Sequence, residues 1–293
     1  RGDLPAGVYE QFFSSTGGTL EYGGNSSYPI LAGIDYVNNL KFSGSNSVNF
    51  PNHNVTIFGN LIIDGSTVGN TNSTSIYVNG NIIRNSGLVN FGKPSGNSTI
   101  VLNGTGNQSI IGDINSNGQG FKKLKIDKNS GSLTISGTTM VRQQLQLTKG
   151  IIYTTETNCL IVDTLASISG GSSLSFVSGP LFKYLGSYTT SPFPVGKGSW
   201  YRPLSVVSPT HSALWRVEYF PHNPHLEFNA GLVGVSGLDL WNVSDVNDIH
   251  PQAYISLGWG PQTNVGPGGL SELRVAYLDA NSKWESAGGT SPT

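Results

Sequence analysis

Apolar and polar residues alternate in short runs through the first part of the chain, and the runs return on a regular beat. Ile57-Phe58-Gly59-Asn60-Leu61-Ile62 comes back as Val78-Asn79-Gly80-Asn81-Ile82-Ile83, which sets a repeat of about 21 residues. Apolar–x–apolar pairs keep nearly the same interval at Leu20/Tyr22, Leu40/Phe42, Leu61/Ile63, Leu124/Ile126, Leu145/Leu147 and Ala166/Ile168. The steps from Leu40 to Leu124 and from Leu61 to Leu145 are equal, four such intervals each, which predicts one inward column for these four leucines. Ile100/Leu102 sits within a residue or so of the missing beat. Arg84 falls where an inward residue is expected, so its coil must be locally rearranged. Val48/Phe50, Val55/Ile57, Leu133/Ile135 and Met140/Val141 supply further runs between the beats.

Alternation with a period of two marks half-buried strands. Two or three short strands per period, separated by Gly, Asn and Ser turns, predict a parallel β-solenoid over residues 1–178. Roughly eight rungs at the strand spacing make a rod about 35–40 Å long. A solenoid cannot close its own ends, so Tyr9, Phe12 and Phe13 are expected to cap the first coil. The rival architecture is a β-sandwich in which the spacing is coincidental.

After residue 178 the beat stops, and prolines and aromatics gather at Pro180, Phe182, Tyr184, Pro192, Phe193, Pro194, Trp200, Tyr201 and Pro203. Strand-like runs follow at 204–207, 213–219, 253–259 and 273–278, which predicts an antiparallel β-sandwich over residues 179–293. Trp215, Trp241, Trp259 and Trp284 are expected in its core with each indole N–H satisfied. The Phe193–Pro203 block reads as the structural join between the two parts. In it Gly196 and Gly198 provide a tight turn, Phe193 and Tyr201 bury their rings, and Arg202 lies near the surface with its head in water.

Composition agrees with an all-β chain. Only 11% of residues are charged, 39 are Gly, and Asn, Ser and Thr are plentiful, which disfavours helices. A net charge of −1 leaves no electrostatic footprint for nucleic acid or an anionic membrane. Lys122, Lys123, Lys125 and Lys128 cluster, and read as a solvated strand edge. Cys159 is the sole cysteine, so no disulfide forms within the chain. No run of about 18 apolar residues suited to crossing a membrane occurs.

Gly18-Thr19-Leu20-Glu21-Tyr22-Gly23 and Asn39-Leu40-Lys41-Phe42-Ser43-Gly44 resemble the repeat region of large secreted Bacteroidetes surface proteins, of the kind exported by the type IX secretion system. Val177–Leu181, Phe193–Gly198 running into Tyr201-Arg202-Pro203, and Leu273–Gly289 are similar to segments that follow and close such repeats. Because no sorting domain of that kind appears after Thr293, an internal piece or a processed form is expected. The resemblance implies an extracellular, adhesin-like or scaffold role, with other segments of a larger surface protein, the secretion machinery or surface glycans as partners. It carries no catalytic residues across. Asp163-Thr164-Leu165 matches the short O-glycosylation pattern known from such proteins, with Thr164 as acceptor.

Other candidate chemistry is sparse. A polysaccharide lyase needs clustered carboxylates on a solenoid face. Between Tyr36 and Thr155 the acids are Asp64, Asp113 and Asp127 alone. Asp64 and Asp127 are separated by a whole number of intervals, and are expected in one column three rungs apart. No catalytic residue and no cofactor is assigned. Calcium is the one ion considered, at Asp245, Asn247 and Asp248, against an Asx-rich turn. His222 and His225 are separated from any helix by Pro221 and Pro224, and a surface loop is expected. Cys159 in an apolar run reads as a buried structural thiol. Arg1-Gly2-Asp3 and N-x-S/T sequons such as Asn54 and Asn103 read as chance products of composition. The function expected is a non-catalytic surface module, with a carbohydrate-binding module built on C-terminal aromatics as the alternative.

Overall fold

The computed structural model describes residues 6–25, 33–91, 96–115, 119–207, 209–260, 263 and 273–289. It is 48% strand and 2% helix. The alternating runs form strands, and successive runs stack into a parallel β-solenoid of about seven turns. Parallel pairing follows from the connectivity, because each strand meets its neighbour only after the chain has gone once round.

The coils build three walls. One wall has eight strands: Thr19–Tyr22, Asn39–Ser43, Leu61–Asp64, Ile82–Arg84, Gln108–Ile111, Leu133–Ser136, Ile152–Tyr153 and Val177–Ser178. A second, longer wall runs through Tyr36–Val37, Val55–Ile57, Ser75–Val78, Thr99–Leu102, Phe121–Asp127, Thr139–Lys149, Leu160–Val162 and Leu181–Leu185. The third is narrow, with Ser47–Asn49, Thr67–Gly69 and Leu88–Asn90. Early coils therefore have three separate strands, and in later coils the narrow wall runs on into the second wall's sheet, where the two halves of Thr139–Lys149 pair with Leu160–Val162 and with Ser167–Gly170.

The four leucines do not share a column. Leu40 and Leu61 continue the first wall, through Leu20, Leu40, Leu61, Ile82, Ile110 and Ile135. Leu124 and Leu145 lie in the second, through Val55, Ile76, Ile100, Leu124, Leu145 and Ile168. The equal spacing of the two leucine pairs is a coincidence of lengthened coils. The chain takes a longer path from Ile82 round to its partner Ile110 than from Leu61 round to Ile82. Turns absorb such insertions cheaply, whereas a slip within a wall would turn every inward side chain outward. The extra residues enter after Asn90, since Val89 still pairs with Val68 at the regular interval; before them stands Arg84, the inward position that the pattern could not fill. Its Nε donates to the Gly87 carbonyl 2.9 Å away. Asp64 and Asp127 likewise stand on different walls and share no column.

Side chains inside the coils form one continuous core from Phe13 to Tyr219. Within it a row of aromatic rings crosses the coils. Tyr22 meets Phe42 at 5.9 Å, Phe42 meets Phe50 at 5.9 Å, Phe50 meets Phe91 at 5.8 Å, and Phe91 meets Phe121 at 6.1 Å. At the N-terminal end the short helix Glu10–Phe13 lays Phe13 into this core, while Phe12 stays 41% exposed.

The asparagine-rich corners are explained by bonds from one coil to the next. Asn39 Oδ1 accepts the Asn60 N–H, Asn60 Oδ1 accepts the Asn81 N–H, and Asn81 Oδ1 accepts the Ser109 N–H, at 2.8, 2.8 and 2.7 Å. Each carboxamide satisfies a corner amide that no strand can reach. Asn60→Ala removes the acceptor of the Asn81 amide, and a loss of about 1–2 kcal/mol is expected in chemical denaturation. A loss no larger than that of an exposed Asn→Ala control would show that water serves the corner equally well. Glycine serves a second corner. Gly44 and Gly65 sit at φ 90° and 118°, and a Cβ on either would lie 2.3 Å from a carbonyl oxygen of the preceding coil.

Leu181–Leu185 is where the pairing changes direction. It runs parallel to Leu160–Val162 on one side and antiparallel to Ala213–Phe220 on the other, and the latter pairs in turn with Leu240–Asp245. The hydrogen-bonded sheet thus passes without interruption from solenoid to antiparallel structure. Thr190–Phe193, Leu204–Val207 and Tyr254–Leu257 form a separate antiparallel sheet, and Ala276–Leu278 pairs with Trp284–Ser286.

Candidate functional site

The Phe193–Pro203 block takes part in a buried polar cluster of the C-terminal part. Gly196-Lys197 and Trp200-Tyr201 pair as a hairpin whose turn is held by Gly198 at φ 63°. Gly196 has another role. A Cβ there would lie 2.3 Å from the Trp200 carbonyl and 2.8 Å from the Phe176 ring. Phe193 is fully buried, and Tyr201 is half-buried with its ring 6.2 Å from Phe176. Burial raises the Tyr201 phenol above its ordinary range.

Arg202 corrects the expectation of a surface head group, for the residue is 4% exposed. Its Nε donates to Asp239 Oδ1 at 2.9 Å, where the Tyr219 hydroxyl also donates at 2.9 Å. Thr263 Oγ1 donates to the other Asp239 oxygen at 2.7 Å, and Trp241 Nε1 donates to the Arg202 carbonyl at 3.0 Å. A buried carboxylate requires such partners, and this one lies 37 residues further along the chain. Burial, reinforced by Asp239, raises the Tyr219 phenol well above its ordinary range. These four donors are committed to the protein itself, so the cluster fastens strands together.

The lysines also depart from expectation. Strand Phe121–Asp127 has neighbours on both sides, so it is no edge, and Lys122 and Lys128 are buried. Lys128 Nζ donates to the carbonyls of Gly104 and Gly106 and to Gln108 Oε1, at 2.8, 2.9 and 2.6 Å. These groups belong to the lengthened coil, whose extra backbone the ammonium satisfies. Lys183, also buried, donates to the Asp163 and Ala166 carbonyls. Burial pushes both amines down to about 8 from the ordinary 10.5. An amine with its folded pKa below its unfolded one binds fewer protons when folded, so stability rises as pH climbs from about 8 toward 10.5. Urea unfolding at pH 7 and pH 9.5 should show the higher midpoint at pH 9.5, with the gain reduced in Lys128→Met. Equal midpoints in the parent protein would contradict this.

The remaining candidates are dispersed. Thr164 is exposed in the turn after Leu160–Val162, beside Leu165, which is 93% exposed. The Asp245 carboxylate accepts backbone N–H groups of Asn247, Ile249 and His250, and Asn247 Oδ1 accepts the Leu214 N–H. The Asp245 oxygens are spent on an Asx turn and the Asn247 oxygen on a neighbouring strand. Among the described residues no group of three or more His, Cys, Asp or Glu is placed to hold a metal ion. His222 and His225 lie in an irregular loop. Cys159 is buried, and burial raises its thiol. Asn54 is exposed, with its Oδ1 accepting the Ser75 N–H of the next coil, whereas Asn103 Oδ1 is buried. Arg1-Gly2-Asp3 lies outside the described residues. A shallow depression of about 200 Å³ over the narrow wall has Gly69 between Asn49 and Asn90, and Asn49 Oδ1 there already accepts the Thr71 N–H.

The C-terminal aromatics divide in two. Trp215 is buried with its indole N–H unpartnered among the described residues, contrary to expectation, whereas Trp241 and Trp284 are partly buried and donate to the Arg202 and His225 carbonyls. Trp259 is 43% exposed and so departs from the predicted core. Tyr188, Tyr254 and Tyr277 are 74%, 77% and 51% exposed, and periodicity could not single them out because it does not say which face of a sheet is covered.

The fold defines the class: an all-β protein with a parallel β-solenoid passing into antiparallel sheets. Comparison with protein-family models, curated proteins and solved structures gives no match.

Proposed function

We propose that the chain is a non-catalytic, extracellular structural and adhesive module of a bacterial surface protein, in which the solenoid acts as a stiff spacer for the antiparallel part. The observation that supports this reading is the single core from Phe13 to Tyr219, bounded by a sheet that crosses from parallel to antiparallel pairing without a break. Among the described residues the strand ladder runs unbroken from coil to coil, and such a body transmits load along its axis. The resemblance to type IX secretion cargo supports a cell-surface location, with neighbouring segments of the parent protein or the secretion machinery as partners, and Thr164 as a point of glycan attachment. Displayed on a non-adherent bacterium, the chain should raise attachment to glycan-coated surfaces. Purified, it should release no reducing or unsaturated ends from polysaccharides. No gain in attachment, or release of such ends, overturns the reading.

A second reading, a carbohydrate-binding module, is favoured by the exposure of Tyr188 and Tyr254.

A further inference from the structure

The outer face of the Thr190–Phe193, Leu204–Val207, Tyr254–Leu257 sheet carries Thr190, Val207 and Tyr254 in one row, and Pro192, Ser205 and Ser256 in the next. The opposite face is turned inward through Ser191, Phe193, Leu204 and Val206, all buried. Tyr188 lies in the turn that precedes Thr190, its N–H donating to the Pro209 carbonyl at 2.7 Å just beyond the Thr190–Val207 pair. Its backbone is in the left-handed region, at φ 58°, which a bulky aromatic rarely adopts. Conformations of this kind persist where the surrounding structure enforces them. Here the enforced result is a second ring, 74% exposed, at the same end of the sheet as Tyr254, which is 77% exposed.

We propose that this face is a binding platform for a neutral glycan, with Tyr188 and Tyr254 as stacking rings and the Thr190, Ser205 and Ser256 hydroxyls beside them. None of the six face positions is charged, which matches an uncharged, polyhydroxylated ligand better than an anionic polysaccharide or a charged peptide. Tyrosine suits the task, since its ring offers a rigid apolar surface and a polar tip at little cost in conformational entropy. From Thr190 to Tyr254 the face spans two strand spacings, about 9.5 Å, room for more than one sugar ring. This inference rests on the adhesive reading and gives it a ligand.

The experiment uses affinity electrophoresis of the full chain in gels containing neutral glucan, mannan or galactan, with an acidic polysaccharide alongside. Tyr254→Ser and Tyr188→Asn are the variants, because Asn tolerates positive φ and both rings are exposed. Retardation by at least one neutral polymer is expected, weakened about tenfold or more in each variant, with melting temperatures unchanged. Retardation by none of the neutral polymers, retardation undiminished in the double variant, or a tyrosine-dependent dimer in sedimentation in place of glycan binding would each overturn the proposal. Surface-display attachment that persists in the double variant would overturn this site while leaving the adhesive reading standing.

Discussion

Arg202→Met is expected to destabilise the protein by about 3–5 kcal/mol, the usual cost of breaking a buried ion pair from one side. The side chains of Arg202 and Asp239 are 5% and 3% exposed, so water cannot replace the lost partner. The Asp239 carboxylate would keep the Tyr219 and Thr263 hydroxyls, but these do not balance its charge. Asp239→Leu should cost a similar amount by stranding the guanidinium. The double variant should recover much of the loss, because removing both charges together leaves neither uncompensated. Urea unfolding followed by tryptophan fluorescence reads all three, since Trp200 and Trp241 both touch the cluster. Single variants within about 1 kcal/mol of the parent, the range of an exposed ion pair, would mean that the pair is dispensable. The same cluster ties the Trp200–Pro203 segment to the regions around Asp239 and Thr263, so its loss should be felt where the tyrosine face is mounted.

Phe91→Ala should cost about 3–5 kcal/mol, as expected for a large ring removed from a tight core. Phe91 is 1% exposed and stands between Phe50 and Phe121 in the row of rings. Its removal leaves a cavity that walls of hydrogen-bonded strands cannot collapse to fill. Because each coil touches mainly its neighbours, the effect should be local first. Hydrogen exchange should quicken in Leu88–Asn90, Thr99–Leu102 and Phe121–Asp127 before it does in Ala213–Phe220. Uniform acceleration throughout the chain would argue that the solenoid unfolds as one cooperative unit. Phe91→Leu, which retains most of the volume, should show the same pattern with a smaller loss.

The sequence by itself determined the all-β character, the solenoid and the change of pattern near residue 178, because period-two alternation and recurring Gly and Asn turns are local signals. It also singled out the Phe193–Pro203 block and the Asp163-Thr164-Leu165 pattern, while the exposure of Thr164 was left to the structure. The assignment of strands to walls was beyond it. All walls present the same inward Leu, Ile and Val, and the extra residues before Ile110 vanish into turns, so a coincidence of spacing between Leu40 and Leu124 looked like a column. A finer signal was present in Val48-Asn49-Phe50 and Val89-Asn90-Phe91, which mark two rungs of the aromatic row. Only the tertiary structure decided the fate of the charged and aromatic side chains. Whether Arg202 or Lys128 is solvated depends on partners 37 and 20–24 residues away that close around it. Whether a tyrosine is core or platform depends on which face of a sheet is covered. Burial of a polar group is a property of its surroundings, and those surroundings exist only once the coils have stacked.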